Sequence, residues 1–187
     1  SPRVRSEARD LLAKQAPADA IPLLAEAIAF GTTTEAQRAL ETFASLKDPA
    51  VDTILAGLLD RLAQGDLPPE LHLELVETAQ KTEADDVRKR LDRYLDTRKG
   101  AGPAAPYLEA MAGGDAARGR RIFFEKVETS CVRCHRVGDT GGEVGPKLSA
   151  VGRKPRLYLL ESIVDPDRAI AEGFETIVAV TDDGLVH

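Results

Sequence analysis

The sequence predicts a mainly α-helical protein in two parts, a helical array followed by a smaller C-terminal unit. Three observations carry this. Apolar residues make up 43% of the 187 positions but aromatics only 4%, with no Trp, so a core must come from Leu, Ala, Ile and Val, as in packed helices. Apolar side chains recur at i, i+3, i+4 and i+7 through residues 4–98, interrupted by Gly and Pro. Residues 99–106 then read Lys-Gly-Ala-Gly-Pro-Ala-Ala-Pro, a combination of Gly and Pro that marks a linker, and the length suffices for two modest domains.

The elements follow in order. Ile21, Leu24, Ala25 and Ile28 form one helical stripe, stopped by Gly31. Asp48 followed by Pro49 reads as an N-cap with Pro at the first helical position. Val51, Ile54, Leu55, Leu58, Leu59 and Leu62 continue that helix to Gly65. Pro68-Pro69 opens the next, with Leu71, Leu75, Val76 and Ala79 on one face, and Val87, Leu91, Tyr94 and Leu95 mark the one after. A short helix over 107–111 precedes Gly113-Gly114. The domains expected are therefore a helical domain at 1–98, a linker at 99–113 and a second domain at 114–187.

Helices of this length in antiparallel pairs, recurring every thirty to forty residues, are the signature of an α-solenoid. The stretch Asp19-Ala-Ile-Pro-Leu-Leu-Ala-Glu-Ala-Ile resembles the second helix of a HEAT repeat, and Asp48-Pro-Ala-Val-Asp-Thr-Ile-Leu resembles it again. An ordinary helical bundle gives the same stripes. His72 lies off the apolar stripe of its helix and reads as a surface residue.

Both cysteines of the chain and one of its three histidines fall within Cys131-Val132-Arg133-Cys134-His135. This is the c-type haem attachment pattern. Two thiols three positions apart on one turn can add to the two vinyl groups of a haem, and the next residue, His135, then becomes the proximal iron ligand. A structural zinc site wants four ligands, whereas His72 and His187 each stand alone and more than fifty residues away. A thioredoxin-like pair would follow a buried strand, but Arg120-Arg-Ile-Phe-Phe-Glu-Lys-Val reads as helix. A disulfide between Cys131 and Cys134 would close a very small loop and restrain the unfolded chain little.

The net charge of −6 argues against nucleic acid as the main partner. Its distribution is uneven: residues 115–156 hold ten Lys/Arg against five Asp/Glu, a basic patch around the haem motif on an acidic protein. No run reaches the ~18 apolar residues of a membrane span. Covalent haem c is assembled outside the bacterial cytoplasm, so the motif implies an exported protein, on the periplasmic or cell-surface side of a bacterium. A signal is then expected upstream of Ser1, with this chain a piece of a longer protein.

From Gly114 onward the chain resembles class I cytochromes c. Gly114-Asp115-Ala-Ala-Arg-Gly119-Arg-Arg-Ile-Phe123 resembles their first helix, in which Gly119 permits close approach of the last helix of the domain and Phe123 packs beside it. Gly141-Gly-Glu-Val-Gly145-Pro146-Lys-Leu148 resembles their proximal loop. The resemblance implies that the Pro146 carbonyl accepts a hydrogen bond from His135 Nδ1, that Leu148 covers the haem face, and that Gly145 belongs to the same cofactor-binding set as Cys131, Cys134 and His135. Arg156-Leu-Tyr-Leu-Leu-Glu-Ser-Ile-Val-Asp-Pro reads as a helix stopped before Pro166. As a whole, residues 114–187 resemble the haem-binding cytochrome domain of large exported bacterial proteins, which is found behind HEAT repeats and a β-propeller sugar-dehydrogenase-like segment.

One departure stands out. Class I cytochromes place a Met after an Ile-x-x-Pro segment of this kind as sixth iron ligand, whereas Phe174-Glu-Thr-Ile-Val-Ala-Val-Thr181 alternates as a strand and Asp182-Asp183-Gly184 signals a hairpin turn. The only Met, Met111, precedes the motif and reads as a packing residue. His187 is terminal and a poor ligand, and Lys147 and Lys154 read as the basic rim, so no distal ligand is expected among the 187 residues.

The leading functional expectation is an electron-transfer module, not an enzyme in itself: one covalent haem c takes electrons from an attached or docked dehydrogenase and meets a redox partner through that partner's acidic docking surface. The alternatives are a protein-interaction scaffold with a subsidiary haem, and haem-based ligand binding at an open distal site. A reversible couple that resists CO favours the first; CO binding favours the last.

Overall fold

The computed structural model describes residues 1–100, 102–175, 178 and 182. It is mainly helical, with one small two-stranded antiparallel sheet, and splits into two compact units, Ser1–Gly114 and Asp115–His187. Among the described residues no helix is long and apolar enough to cross a membrane.

The first unit contains α1 (Pro2–Gln15), α2 (Pro17–Phe30), α3 (Thr33–Phe43), α4 (Pro49–Gln64), α5 (His72–Lys81) and α6 (Asp85–Asp96). Local chemistry sets their ends. Ser1 caps α1, and Pro at the first position of α1, α2 and α4 presets φ where no N–H is needed. Asp48 caps α4 by accepting from Ala50 N at 2.8 Å. Gly65 ends α4 in the left-handed region at φ +79, where a side chain would be strained. α2 ends at Phe30, before Gly31, and a short 3₁₀ turn, Pro69–Leu71, leads into α5.

Packing follows a regular rule. Each helix touches the next but one: α1 on α3, α3 on α5, α2 on α4 and α4 on α6. Leu24, Leu40, Phe43, Leu55, Leu59, Leu75 and Val87 are fully buried between them. Each such side chain contributes roughly 1.5–3 kcal/mol relative to exposure. A charged side chain is buried with them. Glu35 of α3 accepts from Arg5 Nε at 2.7 Å, Arg5 Nη2 at 2.9 Å, Arg9 Nη1 at 3.1 Å and Thr32 Oγ1 at 2.9 Å. Thr32 and Glu35 also form a reciprocal capping box, so one carboxylate both starts α3 and docks α1 on it.

The stretch expected as a linker behaves differently from its composition. Residues 105–111 form 3₁₀ turns that pack on α5, and Ala104 and Glu109 are buried. Glu109 pairs with Arg98, and Gln37 of α3 donates to the Gly113 carbonyl at 3.1 Å. From residue 104 to 113 the chain is thus part of the helical unit. The reason is tertiary: its partners lie on α3, on α5 and at Arg98 just after α6, out of reach of a local reading.

The second unit holds α7 (Ala116–Glu125), α8 (Cys131–Cys134), β1 (Arg136–Val137), β2 (Thr140–Gly141) and α9 (Arg156–Val164). Asp115 caps α7, accepting from Ala117 N at 2.8 Å and Arg118 N at 3.0 Å. Those two backbone donors, Arg118 first, hold its carboxyl below the usual range. The sheet lies directly after the Cys-x-x-Cys-His segment, a position the sequence did not indicate. The strand expected at 174–181 and the hairpin turn at 182–184 fall largely outside the described residues, as does His187.

Candidate functional site

α8 is a single helical turn, and its two thiols are free. Cys131 is half-buried and Cys134 exposed. Ser130, just before the turn, has φ +47, a left-handed conformation uncommon for a residue other than Gly and often found at functional sites. Thr129 steadies the approach, its hydroxyl donating to the Ile122 and Lys126 carbonyls at 3.3 and 3.2 Å. His135 closes the turn, its N–H donating to the Cys131 carbonyl at 3.0 Å.

A loop wraps this turn at backbone contact. Gly142 N donates to the Val132 carbonyl at 2.9 Å, Gly145 N to the Cys134 carbonyl at 2.8 Å and Leu148 N to the Arg136 carbonyl at 2.8 Å. Such approach leaves no room for side chains. A Cβ at Gly141 would lie 2.1 Å from the His135 carbonyl, and one at Gly142 2.0 Å from that of Arg133. The β1–β2 hairpin pairs Arg136 with Gly141 and Val137 with Thr140, while Ser149 Oγ accepts from Gly138 N at 2.8 Å and pins the turn.

His135 Nδ1 lies 2.9 Å from the Pro146 carbonyl oxygen. A carbonyl only accepts, so Nδ1 carries the ring proton and the lone pair resides on Nε2. This is how a metal-ligating imidazole is fixed in tautomer and orientation. Cys131, Cys134, His135, Gly145, Pro146 and Leu148 are therefore gathered at one place. Gly141, Gly142 and Ser149 were missed by sequence reasoning; the Gly-Gly doublet was their one visible signal. Arg136 was missed as well. It pairs with Glu143 across the loop and sits 3.8 Å from Asp139, and its buried Nε has no hydrogen-bond partner among the described residues.

The unit around this site has an unusual interior. None of its described residues is buried, and Phe123, Val132, Leu148, Val151, Leu159 and Leu160 are only half-buried. Ile163 is 78% exposed although α9 is apolar on most sides. Small domains with little apolar burial commonly use a metal, a prosthetic group or disulfides as a staple. Two free thiols on one turn, an adjacent imidazole with a free Nε2 and unfilled apolar surface fit a covalently attached haem. Among the described residues no three His, Cys, Asp or Glu converge on a point that could hold a metal ion, whereas a haem iron needs only axial ligands from the chain.

A Cβ at Gly119 would meet nothing within 4 Å, so no described element approaches α7 there. One expected feature looks different. His72 is half-buried rather than on the surface, its Nε2 2.9 Å from the Leu67 carbonyl. Comparison with family models, curated proteins and solved structures finds no match.

Proposed function

We propose that the Asp115–His187 unit binds one covalent c-type haem through Cys131 and Cys134, with His135 as an iron ligand, and works as an electron-transfer module. The observation that carries this reading is the His135–Pro146 hydrogen bond, formed one residue beyond a Cys-x-x-Cys turn. A haem so attached supplies a reversible one-electron couple and an apolar body for the unit to fold around.

The chain's own residues do the rest. Cys131 and Cys134 fix the group's position through thioethers. The Pro146 carbonyl keeps the ring proton of His135 on Nδ1, leaving Nε2 to the iron. Gly145 lets the loop press against the imidazole, and Leu148 adds apolar cover. The basic stretch 115–156 meets a redox partner, a docked protein or an attached dehydrogenase, through an acidic surface, where complementary charge raises the encounter rate. Covalent attachment of this kind places the protein outside the bacterial cytoplasm. The helical unit is a short HEAT-like α-solenoid in this reading, supported by the next-but-one packing of its helices.

The test is intact mass after expression in a host competent in cytochrome maturation. The expected result is the polypeptide plus one haem, reverting to the bare polypeptide in the Cys131→Ala, Cys134→Ala double variant. A bare mass for the unaltered chain overturns the proposal. Potentiometric titration of the loaded protein should then give a single reversible one-electron wave.

A further inference from the structure

The chain enters the Cys-x-x-Cys turn through a residue in an unfavourable conformation. Ser130 lies at φ +47 and ψ +27, and among the described residues it is the one position other than Gly with a positive φ. In that region the Cβ of an L-residue crowds the following carbonyl oxygen, so the conformation persists only where its surroundings over-determine it. Here they do. Ser130 N donates to the Lys126 carbonyl at 3.1 Å, its hydroxyl donates to the Val127 carbonyl, and its own carbonyl accepts from Arg133 N at 3.0 Å. Thr129 adds hydroxyl bonds to the Ile122 and Lys126 carbonyls at 3.3 and 3.2 Å. All but the bond from Arg133 reach back to the last turn of α7 and the two residues after it, so Ser130 ties the turn to the helix before it.

Each residue contributes two soft backbone dihedrals, so the angles at Ser130 set the direction in which Cys131 leaves α7. The exit of the turn is held separately. Gly142 N and Gly145 N donate from the loop to the Val132 and Cys134 carbonyls at 2.9 and 2.8 Å. Between these two fastenings the thiols are unequal, Cys131 half-buried and Cys134 exposed. A residue of ordinary conformation at 130 would rotate the entry while the loop still held the exit. Gly reaches the left-handed angles at no steric cost, whereas Ala keeps the Cβ without the hydroxyl and Val adds a branch to it.

We infer that Ser130 is a positioning residue for the Cys131 and Cys134 thiols, and that its left-handed conformation is what presents the pair together to an electrophile with two reactive carbons. Read with the proposed haem, each thiol adds across one vinyl group, sulfur to one carbon and hydrogen to the other, with no oxidant consumed. The identity of the electrophile rests on the haem reading; the placement of the thiols by Ser130 does not.

The experiment expresses the full chain in a host competent in cytochrome maturation, unaltered and as Ser130→Gly, Ser130→Ala and Ser130→Val. Peptide mapping then counts chains with two thioethers against chains with one. The unaltered chain and Ser130→Gly should be doubly attached alike, while the two-to-one ratio should fall about fivefold in Ser130→Ala and about tenfold in Ser130→Val. Amide exchange at Gly142, Gly145 and Leu148 should stay slow in Ser130→Ala, showing the loop still seated. Equal ratios in all four proteins overturn the inference. So does a fall in Ser130→Gly that matches Ser130→Val, and so does a fall in Ser130→Ala that comes with loss of the loop's protection.

A second measurement needs no haem. In the reduced, haem-free chain, alkylation of Cys134 should outpace that of Cys131, with the difference kept in Ser130→Gly and narrowed in Ser130→Val. An unchanged difference in Ser130→Val overturns the inference. Failure of the unaltered chain to take up haem would count against the proposed function, while the alkylation rates would still decide the role of Ser130.

Discussion

A Cβ at Gly145 would lie 2.8 Å from Cε1 and 3.0 Å from Nδ1 of His135. The loop backbone thus rests against the imidazole ring itself, and two neighbours in the loop restrict the ring's orientation: Gly145 close to Cε1 and Nδ1, and the Pro146 carbonyl at Nδ1. Gly145 therefore has a role that its resemblance to a turn signal does not convey, because its lack of a side chain is what allows the contact.

Gly145→Ala should push either the ring or the loop away, at a cost of about 1–3 kcal/mol as overpacking usually brings. Pro146→Ala should be far milder, since the acceptor is a backbone oxygen that any residue supplies. The two variants separate by haem yield and by the reduction potential of what is loaded. Equal yields and potentials for both would show that the contact at Gly145 does not position His135.

Acid should loosen the helical unit through Glu35. Hydrogen bonds from Arg5 first, and then Arg9 and Thr32, hold its carboxyl well below the usual range, against the opposing effect of burial. A carboxylate with a depressed folded pKa contributes stability that is fully present above its unfolded pKa, about 4.3, and is lost as pH falls below that value toward the folded one. Urea midpoints measured from pH 6 down to pH 2.5 should fall in the unaltered chain and follow a flatter course in Glu35→Gln. Parallel curves would remove Glu35 from the acid response.

Leu75 is fully buried where α5 meets its neighbours, and Leu75→Ala should cost about 2–5 kcal/mol of the helical unit's stability. The proposed haem attachment belongs to the other unit and should survive at temperatures where the helical unit of this variant still folds. Far-UV circular dichroism follows the first quantity and intact mass the second. A loss of attachment in step with the loss of helix would argue that the two units fold as one.

What the sequence determined by itself was local. The helical stripes, the Asp48 cap with Pro49 behind it, the stop at Gly65 and the end of α9 before Pro166 are all written within a turn or two of the residues concerned, because helix periodicity and capping act over three or four positions. The Cys131-to-His135 spacing was legible for the same reason: both thiols and the imidazole fall within one turn, the arrangement that the proposed attachment needs. Tertiary structure decided what depends on partners far along the chain. Glu35 is buried because Arg5 and Arg9 arrive from α1, some thirty residues earlier. Residues 104–113 are fastened because Gln37, α5 and Arg98 meet them, although their Gly and Pro content says only that the chain is free to turn. Gly141 and Gly142 are required because the loop crosses the carbonyls of His135 and Arg133 at backbone distance, and no propensity or spacing records how closely two segments will pass once the chain has folded.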